Sequence, residues 1–178
     1  MKRVLGLSVL AVLMSSSVLA YECKDTIEPT TRAEQFLDNG DGTITDLRFG
    51  LMWQMCTYGQ YYDSETKVCK GDATAVNTWS AAILTQDAMN GDPEQTHDDW
   101  RLPNIKELQS IVERQCRQPA INLSLFNGTS NAVYWSNTPD GSVNTTAIGR
   151  LIDFSDGVEV LRATNTQRFV RHVRSISQ

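Results

Sequence analysis

The sequence predicts an α+β domain of small antiparallel sheets, two helices and long loops. Three observations predict it. Short segments of strand composition recur between dense turn signals. Two stretches carry apolar residues at helical spacing, and no repeat or low-complexity tract interrupts the chain.

The elements follow in order. Lys2 and Arg3 precede an apolar run from Val4 to Leu13, and Val18-Leu19-Ala20 is a small-residue cleavage site. Residues 1–20 therefore read as a secretory signal peptide. The run is short for a bilayer and Ser15-Ser16-Ser17 interrupts it. Cys23 does not directly follow Ala20, so no lipid anchor is expected, and no second apolar stretch predicts a membrane span after cleavage. The expected location is exported: periplasm, cell surface or secreted. Residues 21–35 read as a polar N-terminal tail, and the domain proper is expected over 36–175.

Phe36 to Gln54 reads as a hairpin, with Asn39-Gly40-Asp41-Gly42 as its turn and Thr43-Ile44-Thr45 and Leu51-Met52-Trp53 as strands. The Asp38–Asp46 stretch imitates a calcium loop. With Asp41-Gly42 at positions five and six, position one is Leu37 and position twelve is Arg48, so both ends fail as ligands. Turn chemistry is the expected role, and weak calcium binding stays open. Residues 57–74 read as a long loop. Thr74 to Met89 reads as the first helix, with Trp79, Ala82, Ile83 and Met89 inward and Asn90-Gly91 at its end.

The segment Asp99-Trp100-Arg101-Leu102-Pro103-Asn104-Ile105-Lys106-Glu107-Leu108 reads as a strand-to-helix junction. The residue before a proline avoids the helical region, Asn104 can cap, and Glu107 occupies the capping-box position. The second helix is expected from Ile105 to Gln115, and Pro119-Ala120-Ile121 turns the chain. Strands are expected over Ala132–Ser136, Thr146–Phe154, Val158–Leu161 and Arg168–Ser175, with Ser155-Asp156-Gly157 as a tight turn.

Charge limits the partners. Residues 21–178 carry 14 basic and 21 acidic groups, a net charge of −7. No nucleic-acid partner is expected of such a field. Five arginines (Arg150, Arg162, Arg168, Arg171 and Arg174) nevertheless fall in the last stretch. Four cysteines in an exported chain suggest two disulfides. Of three pairings, Cys56–Cys69 would staple the Thr57–Val68 loop, leaving Cys23 for Cys116. No CxxC spacing supports zinc, so neither a metal nor a cofactor is expected.

Several of these segments line up with a known family. They are Asp41-Gly42-Thr43-Ile44-Thr45-Asp46 through Gly50-Leu51-Met52-Trp53-Gln54, Trp79-Ser80-Ala81-Ala82, Asp99 to Leu108, Tyr134-Trp135-Ser136-Asn137-Thr138-Pro139, Asp153 to Gly157, and Phe169-Val170-Arg171-His172-Val173-Arg174. In this order the chain resembles the DUF1566 family, the domain at the C-terminus of a Legionella collagen-like adhesin. The resemblance implies a fold related to formylglycine-generating enzymes (sulfatase-modifying factors) and C-type lectins. It also implies a surface module, since the adhesin binds sulfated glycosaminoglycans and assembles as a trimer. This chain has no Gly-X-Y stalk, and no thiol after Cys116 for formylglycine chemistry.

A non-enzymatic binding module for carbohydrate or a surface polymer in adhesion is therefore the expected function. A structural or assembly protein of the envelope, acting through protein partners, is the alternative, and a homo-oligomer is a further partner form. Candidate ligand-binding residues are Tyr58, Tyr61 and Tyr62 in the stapled loop, with Arg150, Arg162, Arg168 and Arg174 as anion contacts. The four tryptophans are expected mostly in the core. Strand alternation puts Arg168, Val170, His172 and Arg174 on one side and Phe169, Arg171 and Val173 on the other. Arg171 is thus the expected inward arginine, paired with Asp99 or Asp153. Asp153 and Asp156 are expected to cap their turn rather than act as a glycosidase pair.

Overall fold

Residues 21–141, 149–161 and 168–176 are described by the computed structural model. The tail supplies β1 (Glu22–Cys23), antiparallel to β7 (Cys116–Arg117), with Cys23 bonded to Cys116. A 3-10 turn over Ala33–Gln35 leads into β2 (Phe36–Asp38), β3 (Thr43–Asp46) and β4 (Leu51–Gln54). With β11 (Val173–Ser175) these strands form a four-stranded antiparallel sheet in the order β11-β4-β3-β2. The turn chemistry expected around Asp38–Asp46 is present. Asp38 accepts from the Gly40 amide at 2.9 Å, Asp41 from the Thr43 amide at 3.0 Å, and Asp46 from the Arg48 amide at 3.0 Å.

Residues 57–74 are not only loop. They contain a hairpin of β5 (Tyr61–Asp63) and β6 (Val68–Lys70), closed behind by the Cys56–Cys69 disulfide. Asp63 caps its turn through the Glu65 amide at 2.8 Å and pairs with Lys70. Both disulfides match the pairing expected from the sequence.

Helix α1 (Trp79–Asn90) begins later than its apolar pattern suggests. Val76 is held extended by a bridge to Arg168, and Thr78 caps instead, accepting from the Ala81 amide at 3.1 Å. Gly91 closes the helix as expected. Helix α2 (Ile105–Ser110) starts as the sequence indicates: Asn104 and Glu107 form a complete capping box. It stops five residues short of Gln115, because Glu113 pairs its amide with Ala120 and its carboxylate with the tail. A second sheet, in the order β10-β9-β8, contains β8 (Val133–Pro139), β9 (Gly149–Asp153) and β10 (Val158–Val160). Asp153 and Asp156 cap the β9–β10 turn through the Ser155 and Val158 amides at 2.9 and 3.1 Å. Two helices and several small antiparallel sheets make this an α+β domain.

One core lies between the sheets, with Ile44, Trp53, Leu108, Phe126, Tyr134, Phe154 and Val173 inside it. A smaller cluster of Ala82, Leu102, Trp135, Leu151 and Val170 lies under α1. Trp53, Trp100 and Trp135 are buried, while Trp79 is half-buried and donates to the Ser136 carbonyl at 2.8 Å. The closing segment runs across both sheets. Phe169 bonds the Val133 carbonyl and the Trp135 amide of one sheet, and Val173 to Ser175 pair with β4 of the other. The Arg101–Val173 bridge then covers the outer edge of β11. No helix among the described residues is long and apolar enough to cross a membrane.

Candidate functional site

The outer face of the four-stranded sheet carries Thr43, Gln54 and Arg174, alternating with the core-facing Ile44, Trp53 and Val173. The β5–β6 hairpin and the 92–96 loop rise on either side of it. Between them lies a cleft of about 620 Å³. Tyr58, Tyr61 and Tyr62 all line it, with Gln54, Gln95, Asp41, Asp92, Glu94 and His172. The three tyrosines proposed from sequence are thus brought to one place.

Their positions follow from local structure. Tyr61 is 62% exposed, at the start of β5. Tyr62 is half-buried, with its hydroxyl donating to the Gly40 carbonyl at 3.3 Å. The Lys67 ammonium lies 5.8 Å from the Tyr62 ring centre and donates to the same carbonyl at 3.2 Å. Tyr58 is half-buried against the His172 ring, edge to face at 5.7 Å. Its backbone is tied on both sides, to Val170 and Thr74. Gly59 follows at φ +94°, and a Cβ there would lie 2.6 Å from the Thr74 backbone nitrogen. Only glycine fits that approach. Gln54 donates to Gln95 at 3.0 Å, joining the sheet face to the 92–96 loop.

His172 was not among the expected ligand-binding residues, yet it lies at the cleft and is 1% exposed. The Thr85 hydroxyl lies 2.6 Å from the Ala82 carbonyl and 2.9 Å from His172 Nε2. A hydroxyl has one proton, and here the carbonyl takes it, so Nε2–H donates to Thr85 and Nδ1 is the unprotonated nitrogen. Burial pushes the His172 pKa down to about 4, so the ring is neutral at ordinary pH.

The arginines do not join the tyrosines. Arg150 pairs with Glu159 at 2.8 Å on the other sheet. Arg174 pairs with Asp99 at 2.5 Å, which lowers the Asp99 pKa. Arg168 is 9% exposed, on a bridge to Val76 rather than on a free surface. The side of the closing segment that carries Arg168 and His172 is covered by α1 and residue 76, which buries both. Arg162 lies outside the described residues, as do residues 1–20, on which the signal-peptide expectation falls.

Arg171 is inward, as expected, but its partners are neither Asp99 nor Asp153. It donates to the carbonyls of Gln54, at 2.8 Å, and Met55, and to the hydroxyls of Thr129 and Thr57, at 2.6 and 3.4 Å. Its guanidinium lies 5.1 Å from the centre of the Phe126 ring. Burial lowers its pKa to about 10, and it stays charged. It therefore fixes the end of β4 directly behind the cleft. Its acceptors are neutral oxygens on two segments, residues 54–57 and Thr129, a pattern that pairing by charge does not anticipate.

No curated protein and no solved structure matches this chain. The family model of the Lcl C-terminal domain matches residues 42–174, which include both helices, all of the β10-β9-β8 sheet, most of the four-stranded sheet and most of the cleft lining. The chain belongs to the Lcl C-terminal domain family.

Proposed function

We propose that this domain is an exported, non-enzymatic binding module that takes carbohydrate or another surface polymer in adhesion, and that the tyrosine cleft is its binding site. The observation that carries this reading is the meeting of Tyr58, Tyr61 and Tyr62 around one polar cleft. Tyrosine faces accept the apolar face of a sugar ring, and the Gln54 and Gln95 amides supply hydrogen bonds. The two disulfides fit an oxidising compartment. On this reading the fold is C-type-lectin-like, with the cleft on a loop-rich sheet face. The non-enzymatic part rests on His172. Its proton faces Thr85, whose own proton faces Ala82, so this pair activates no nucleophile.

The test is a glycan array with oxidised residues 21–178, repeated with Tyr61→Ala. Saturable binding to one glycan class is expected. The exposed Tyr61 ring should account for roughly tenfold of it, from about 1.5 kcal/mol for one aromatic contact. A blank array sinks the glycan reading. A second reading, an envelope assembly subunit, is favoured by Leu37, Leu47 and Phe49, which are exposed along edge strand β2 and the β3–β4 turn. A protein mass that rises with concentration supports it.

A further inference from the structure

We propose that the floor of the tyrosine cleft is an acceptor socket, in which His172 Nδ1 receives a proton-donating group of the ligand, a sugar hydroxyl, and disfavours an anionic one. This rests on reading the cleft as the glycan site. His172 lines the cleft and is 1% exposed. Its Nε2–H is committed to the Thr85 hydroxyl, whose own proton goes to the Ala82 carbonyl. Nδ1 is left as a lone pair, and it meets no donor among the described residues. The fully buried side-chain nitrogens without a partner belong to Trp53, Trp100 and Arg171, and Nδ1 is not one of them. The ring's residual exposure therefore includes Nδ1, and the cleft is the space onto which it opens.

The surroundings define what that lone pair takes. The Tyr58 ring stands edge to face with His172 at 5.7 Å, and Met89 lines the same cleft. An acceptor in such a place is costly to leave unpaired. Its complement is an O–H or N–H group. A sulfate or carboxylate presents only oxygens, so lone pair would face lone pair. Burial keeps the ring neutral at ordinary pH, so Nδ1 gains no proton to offer such an anion. A pyranose combines the two features the cleft can use: an apolar ring face for the tyrosines and a hydroxyl at its edge for the histidine.

The test is nitrogen-15 NMR of the His172 ring in oxidised residues 21–178, which reads the two ring nitrogens separately. In the free protein Nδ1 should show the shift of an unprotonated nitrogen and Nε2 that of a protonated one. Methyl glucoside, methyl galactoside and methyl mannoside are then titrated singly, with sodium sulfate as the anion. At least one pyranoside should move Nδ1 upfield and saturably, as a nitrogen that accepts a hydrogen bond does, and sulfate should leave it unmoved. His172→Phe should weaken that pyranoside roughly tenfold, the loss expected for one buried hydrogen bond. Phenylalanine keeps a ring against Tyr58, and the Thr85 hydroxyl keeps its bond to Ala82. If that variant does not fold, the ring shifts of the wild type alone decide. A pyranoside that moves the Tyr61 and Tyr62 signals but not Nδ1 overturns the inference and leaves the glycan reading standing. A protonated Nδ1 in the free protein, or a saturable response to sulfate, also overturns it. No response to any pyranoside overturns it too, while the glycan array decides the reading of the cleft on its own.

Discussion

Glu113→Gln should destabilise the folded chain by about 3 kcal/mol. The carboxylate is 3% exposed and makes no ion pair among the described residues. Oε1 accepts from the amides of Thr30 and Gln115 at 3.0 and 2.8 Å and from the Thr30 hydroxyl at 3.2 Å. Oε2 accepts from the Thr31 amide at 2.9 Å and the Thr31 hydroxyl at 2.5 Å. In glutamine one oxygen becomes NH₂. Placed at Oε2 it faces the buried Thr31 N–H, which loses its acceptor at about 1–3 kcal/mol. The three remaining bonds lose their charge assistance, at several tenths of a kcal/mol each. Burial alone would raise the Glu113 pKa, but these donors outweigh it and hold it below its ordinary 4.5. The charged form is therefore favoured by folding. Its contribution is complete above about pH 4.5 and disappears as the pH falls through the lower folded value. Urea unfolding of disulfide-intact wild type and variant at neutral and acidic pH measures the gap. A gap under about 0.5 kcal/mol at neutral pH refutes the assigned hydrogen bonds. So does a gap that does not shrink in acid.

Three further outcomes follow from the same structure. His172 should titrate by NMR near pH 4 rather than at its ordinary 6.5, and stability should fall as the pH drops from 6.5 through 4, because the folded state resists protonation; a midpoint near 6.5 contradicts its burial against Thr85. Gly59→Ala should cost about 2 kcal/mol or more, through positive φ and the clash with Thr74, and should weaken any ligand of the cleft by moving Tyr58; unchanged unfolding midpoints rule this out. Removing the Cys56–Cys69 bond, with a separation of 13 residues, should lower stability by about 3 kcal/mol from loop entropy; a Cys56→Ser, Cys69→Ser variant as stable as wild type would mean the hairpin holds its own shape.

Much of this architecture was legible where local chemistry and global fold agree. The Trp100–Glu107 junction declares itself because a proline, a cap and a capping box lie within one short window. The Asn39–Gly42 turn and both cysteine pairings were readable for similar local reasons. The β5–β6 hairpin was not, because its strands are three residues long and largely exposed, so no apolar alternation marks them. The length of α2 misled because Ile111 and Val112 keep helical spacing but are buried after the helix has ended. The burial of Arg168 and His172 was not legible, because strand alternation reports two faces and not what covers each. The three tyrosines line one cleft because they lie within five residues of one another in the stapled loop. The ion pairs of the arginines were not legible: Arg174 meets Asp99 from far away in sequence, and Arg150 meets Glu159 only because β9 and β10 pair across their hairpin.

The segment from Arg168 to Ile176 is the piece that joins the two sheets. Each sheet has its own hairpins, which can form early and locally. The bond between them awaits contacts that span most of the chain, such as Trp53 with Val173 and Val76 with Arg168. Closure entropy of this kind makes the final step slow. A chain cut before Arg168 would keep the β10-β9-β8 sheet and the β2–β4 strands, but would lose β11 and with it the segment that makes the two sheets one cooperative unit. Until that segment docks, the outer face of β4 has its hairpin but lacks His172 beneath Tyr58, so the cleft is among the last parts of the molecule to be completed.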